Sequence, residues 1–340
     1  MKGITDIDEG TIRKIDWQEL LPGTMLVRSF SLSLKISLIV LFSLFLSGWM
    51  LLINQADGGS ENVRVFSRFF ELNQPFTTEL SDVFIVSPPT SLSGNLIALF
   101  GFLILLFLWL MVARSTAVRL ASTQRSGFFE SFKFARKKYC SLLGTIFLYS
   151  FLIAVPALSW KLLSWIDVPC LQKICLPIMI LLVFASVFMG AASFLSFPMS
   201  VAAIAAEKSD PFDAVSRGYS YLFQRPLHFI IYSTIAILFG AIGFVIFSLL
   251  SSAVLSLLPL SFSKADFAGH FWTPFWIRSL IVLPFGYLFV YFTVASTAIY
   301  FILRRSVDGT PWDNFKSDDS HKPSRKLRPI FYSDPEEKKE

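Results

Sequence analysis

Apolar residues run along this chain in uninterrupted blocks of about 20, with polar and charged residues gathered between the blocks. A soluble core draws on short periodic runs, whereas a block of that length matches the roughly 30 Å of hydrocarbon in a bilayer. Six blocks are predicted as transmembrane helices: 36–53, 95–112, 141–160, 176–197 with an apolar extension past Pro198 to Ala206, 229–257 and 280–302. The fifth is long enough to require tilt or a break near Gly240 and Gly243, and Pro284 falls in the first turns of the sixth. No small-x-small cleavage site follows the first block, which reads as a retained span and not a signal peptide. The predicted fold is all-α: a polytopic membrane protein of six transmembrane helices with interfacial amphipathic helices. Its expected organisation is a cytoplasmic N-terminal segment over 1–30, a transmembrane domain over 31–306 and a disordered cytoplasmic tail over 307–340. That tail is poor in aliphatics and holds seven Lys/Arg against eight Asp/Glu, too little apolar surface for a core.

Composition strengthens this reading. Of 340 residues, 54% are hydrophobic and 16% charged, against about 25% charged in soluble domains. The net charge of +6 follows from the accumulation of Lys and Arg in cytoplasmic loops, so nucleic acid is not expected as a partner. The segment between spans two and three holds Arg114, Arg119, Arg125, Lys133, Arg136, Lys137 and Lys138, whereas the longer segment between spans one and two holds only Arg64 and Arg68. This asymmetry predicts a cytoplasmic-membrane protein with both termini cytoplasmic. Tryptophans prefer the headgroup layer, and all eight fall near predicted interfaces: Trp49, Trp160, Trp165, Trp272 and Trp276 outside, Trp17, Trp109 and Trp312 inside.

Two cytoplasmic stretches resemble each other at a shift of 83 residues: Ser126 meets Ser209, Phe129 meets Phe212, Glu130 meets Asp213 and Phe132 meets Val215. The second starts like a helix, with Asp210 as cap, Pro211 in the first position and Asp213 in the first turn. Its Phe212, Val215, Tyr219 and Leu222 recur at helical spacing, with Ser216, Arg217 and Ser220 on another face. Paired amphipathic helices lying on the cytoplasmic leaflet are expected, one before span three and one before span five. A further short amphipathic stretch is expected on the outer surface over 61–76.

Catalytic chemistry is missing from the pattern. The six apolar blocks contain no charge to mark an ion site or proton relay, and no H-E-x-x-H, G-x-S-x-G or Walker loop occurs. Glu207, just beyond span four, reads as solvated. His228, His270 and His321 are scattered and lie near no cysteine, so no metal site and no cofactor are expected. Ser186 with Gly190, and Ala236 with Gly240, form small-xxx-small pairs suited to close helix packing. Cys170 and Cys175, in the outer loop between spans three and four, form a disulfide if that loop turns tightly in an oxidising compartment, and remain two free thiols otherwise.

The stretch Asp210-Pro-Phe-Asp-Ala-Val-Ser-Arg-Gly-Tyr-Ser-Tyr-Leu-Phe-Gln-Arg-Pro226, with Leu303-Arg-Arg-Ser-Val-Asp-Gly-Thr-Pro311, resembles a family of multi-span membrane proteins of planctomycete-type bacteria that has no assigned activity. The six-span layout is more distantly similar to the membrane domain fused to some bacterial glycerophosphodiester phosphodiesterases. The resemblance implies the six-span fold over about residues 30–312. It brings no catalytic residue, because the phosphodiesterase barrel and its acidic metal ligands have no counterpart here. The function expected from the sequence is non-enzymatic organisation of membrane lipids, partner membrane proteins or further copies of the chain. The alternative is a facilitator or transporter of an apolar or amphipathic substrate. Lys133, Arg136, Lys137, Lys138, Arg217 and Arg225 are the candidate residues for anionic lipid.

Overall fold

The computed structural model describes residues 24–56, 91–121, 127–165, 169–261 and 272–309, and those residues contain helices and no strand. In chain order the helices are α1 (Thr24–Ser33), α2 (Ile36–Ala56), α3 (Leu92–Ala121), α4 (Phe128–Ser164), α5 (Pro169–Glu207), α6 (Pro211–Gln224), α7 (Pro226–Ser261), α8 (Trp272–Ile281) and α9 (Leu283–Asp308). Six of them, α2, α3, α4, α5, α7 and α9, are long and apolar enough to cross a membrane. The chain is an all-α integral membrane protein. The stretch 61–76, the N-terminal residues before Thr24, the tail beyond Gly309, Trp17 and Trp312 lie outside the described residues.

Span six sits at the centre. In its most apolar window 83% of α9 is buried, against 11% for α5. Aromatic residues on α9 meet small residues on its neighbours. Tyr291 lies over Gly240 of α7 and Tyr287 over Gly243, where an added Cβ would overlap each ring. Tyr291 Oη donates to the Ala236 carbonyl at 2.7 Å. A Cβ at Gly286 would come within 2.9 Å of the Ile39 carbonyl oxygen of α2. Without a hydrophobic force between helices in lipid, such close approach and interhelical hydrogen bonding hold a bundle together. Around α9 stand α7, α2, α3 and α5, while α4 packs on α3 and α5. Spans four and five, α5 and α7, do not pack along each other.

Several expectations change. The short helix α1 carries fully buried Met25 and Leu26 and packs on α9, so the packed domain reaches back across the boundary placed at residue 31. The two matched cytoplasmic stretches do not form two surface helices. The first is the opening of α4, one continuous helix of 37 residues, because Phe128 to Tyr139 contains no Pro or Gly. The second is the separate α6, because Pro226 forces Arg225 out of helical geometry, at φ −134° and ψ 57°. Span six starts later than residue 280: Pro284, without an N–H to donate, takes the first turn of a new helix, and Leu280 belongs to α8. The fifth span is unbroken at Gly240 and Gly243, since both glycines serve to admit tyrosine rings. Ala236 and Gly240 pack inside the bundle as expected of a small pair. Gly190 faces open space instead. Trp109 packs between helices, its ring meeting Phe197, Phe289 and Phe292 edge-on at 5.4–5.8 Å.

The side chain of Cys170, in the candidate Cys170–Cys175 bond, lies outside the described residues. Both residues lie on α5, whose helix already runs from Pro169, and Cys175 is a free thiol. Five residues of helix rise about 7.5 Å, more than the roughly 7 Å Cα separation a disulfide bridges.

Candidate functional site

Positively charged residues gather at one end of the bundle, here called the basic end, where α3, α5 and α9 finish and α4 and α7 begin. Even deep in this end the arginines are anchored. Arg114, 6% exposed, donates from Nη1 to the Ala205 carbonyl at 2.8 Å and lies 4.3 Å from the centre of the Phe134 ring. Arg28 of α1 donates to the Arg119 carbonyl at 2.9 Å.

The densest polar arrangement lies where α5 ends, α6 crosses and α9 ends. Helix α5 stops at Glu207 because Lys208 turns into the left-handed region, φ 59°, a conformation that costs a non-glycine residue about 1 kcal/mol. That turn sends α6 back across α5. There Gly218 fits against Ser200, Tyr149 and the Ser196 carbonyl, with no room for a side chain. Helix α6 buries Val215 and Leu222, as its spacing predicts. Phe212 of the same predicted stripe is exposed, and Tyr219 shares a 2.6 Å hydrogen bond with Ser193 of α5.

Glu207 is not solvated. Its side chain is 11% exposed and pairs with Arg217 Nη1 at 2.5 Å and with Arg304 Nε at 2.9 Å. Tyr300 Oη donates to Glu207 Oε1 at 2.6 Å. One carboxylate of α5 thus binds α6 and the central α9 together. A buried carboxylate is tolerated when paired and hydrogen-bonded in this way. Arg217 also donates from Nε to Asp213 Oδ1 at 2.9 Å. Burial works against its charge, but the Asp213 hydrogen bond and the Glu207 and Asp213 carboxylates outweigh burial and hold its pKa above the usual arginine value. Tyr221 Oη donates to Asp308 Oδ2 at 2.5 Å. Burial first, then that carboxylate, pushes the Tyr221 phenol above its ordinary value, which keeps it a donor. Beside this network lies a cavity of about 490 Å³.

The six candidate cations separate into two sets. Lys138 pairs with Asp210 at 3.6 Å, Arg217 belongs to the Glu207 network, and Arg225 donates to the Ser306 carbonyl at 3.3 Å. Lys133, Arg136 and Lys137 are exposed and make no ion pair among the described residues. At spacings of three and four they share one face of α4, directly after exposed Phe128, Phe129 and Phe132. The opposite face, with Ser131, Phe134 and Ala135, is buried. Arg304, Tyr300, Tyr221 and Asp308 were not legible as a site. The available signal was Glu207 itself, a lone carboxylate directly after an apolar run rich in alanine. Among the described residues no cluster of His, Cys, Asp and Glu could hold a metal ion. Compared with known proteins, the chain matches no family model, no curated protein and no solved structure.

Proposed function

We propose that this integral membrane protein lies in the cytoplasmic membrane with its basic end and both termini on the cytoplasmic side, and organises anionic lipid there without catalysing a reaction. The observation that carries the reading is the exposed face of α4, where Phe128, Phe129 and Phe132 in the first turns are followed by Lys133, Arg136 and Lys137. Aromatic rings seat in the headgroup layer while the cations meet acidic headgroups. Each cation close to an anionic leaflet contributes about 1 kcal/mol, falling off within a Debye length.

Replacing Lys133, Arg136 and Lys137 together by Gln is expected to lose up to about 3 kcal/mol of anionic-lipid association and to leave thermal unfolding in detergent unchanged. Equal amounts of anionic lipid co-purifying with the variant and the parent protein would reduce the face to a topology signal. For orientation, reporter fusions at Ser126 and Gly59 should report opposite sides of the membrane, Ser126 cytoplasmic; a cytoplasmic Gly59 rejects the arrangement.

A further inference from the structure

The cavity at the basic end is separate from the exposed α4 face and differs from it in charge. It is an open, mainly polar groove of about 490 Å³. Three carboxylates, Glu207, Asp213 and Asp308, line it together with two guanidiniums, Arg217 and Arg304. Glu207 is occupied within the network on both oxygens. Asp308 is exposed and accepts from Tyr221 on Oδ2, with Oδ1 accepting no hydrogen bond among the described residues. Arg217 is engaged through Nε and Nη1, and its side chain lines the cavity.

A wholly anionic group would meet an excess of carboxylate here, and a wholly cationic one would leave the Arg217 edge unused. The arrangement matches a group that carries both charges a few ångströms apart. We propose that the cavity takes an ethanolamine phosphate group, its phosphate on the guanidinium edge of Arg217 and its ammonium at Asp308. Phosphate suits a guanidinium because the planar donor fork matches its oxygens. The position suits a phospholipid headgroup. The cavity lies at the ends of two spans, α5 and α9, and α6, which supplies much of its wall, also carries the exposed Phe212 and Phe223, apolar groups that can meet acyl chains. The inference does not depend on the α4 face.

The test uses the full chain, purified and stripped of lipid, with native mass spectrometry of adducts formed with phosphatidylethanolamine, phosphatidylglycerol or soluble phosphoethanolamine. Asp308→Asn removes the charge of an exposed side chain and keeps an acceptor for the buried Tyr221 hydroxyl, so the fold is expected to survive; unfolding temperature is measured alongside. Phosphatidylethanolamine occupancy should fall at least tenfold in Asp308→Asn, with phosphatidylglycerol unchanged. The Lys133/Arg136/Lys137→Gln variant should show the reverse. Binding of the lipid without soluble phosphoethanolamine identifies the membrane lipid as the ligand, and equal binding of both identifies the free group. Binding of neither, or phosphatidylethanolamine occupancy unmoved by Asp308→Asn in a folded protein, overturns the assignment.

Discussion

In the first half of α5, Leu176, Ile178, Ile180, Leu181, Phe184 and Val187 are all exposed, whereas every residue from Pro198 to Ala206 in its last turns is buried. Both stretches are apolar and both belong to one helix. They differ in side-chain size: the exposed half is built from leucine, isoleucine, valine and phenylalanine, and the buried half includes four alanines and a serine. Lipid tails solvate large aliphatic groups as well as protein does, so hydrophobicity does not sort the two surfaces. Small residues do, by letting α3, α6 and α9 approach the α5 backbone. The buried half also ends at Glu207, so packing and ion pairing coincide at the basic end.

Substitutions at three positions test how far the two halves of α5 differ. Glu207→Ala should have the largest effect, because it leaves Arg304, 9% exposed in its side chain, without its carboxylate; a loss of about 3–5 kcal/mol is expected, read as lower unfolding temperature and poor recovery from the membrane. Arg217 and Tyr300 lose a partner at the same time, so Glu207→Gln, which keeps an acceptor for Tyr300, should recover part of the loss. Ala203→Leu comes second: Ala203 is fully buried, and an added isobutyl group should cost about 1–3 kcal/mol by overpacking. Leu181→Ala is expected to change stability by no more than about 0.5 kcal/mol, since Leu181 is 66% exposed and touches lipid in either form. Equal destabilisation by Ala203→Leu and Leu181→Ala, measured by thermal unfolding in the same detergent, would mean that the exposed half is covered by protein.

The number and type of the long helices were legible in the sequence because a run of some 20 apolar residues admits few other structures. Helix ends were legible where a proline dictates them. Pro211 opens α6 as expected, while the effect of Pro226 on Arg225, and of Pro284 on span six, depended on which side of the proline the helix continued. The fusion of 128–140 into α4 was hidden because an amphipathic opening and a lipid-facing continuation differ in pattern but share helical geometry. The Glu207 network was hidden for another reason. Its carboxylate and its arginines each look solvated beside a span end, and only the packing of α5, α6 and α9 brings them together. The six candidate cations likewise look alike in sequence. Asp210, Glu207 and the Ser306 carbonyl engage three of them and leave three on the α4 face.

The central position of α9 has a bearing on biosynthesis. It follows the other five described spans in the chain, so the helices that surround it enter the membrane before their common partner exists. Glu207 reaches the bilayer 93 residues ahead of Tyr300, whereas Arg217 follows almost at once and can neutralise it in the interval. The early pair acts as a place-holder, and arrival of the final helix converts a loose set of spans into a closed bundle. A chain ending before Leu283 would therefore carry the other five spans without the helix on which they pack.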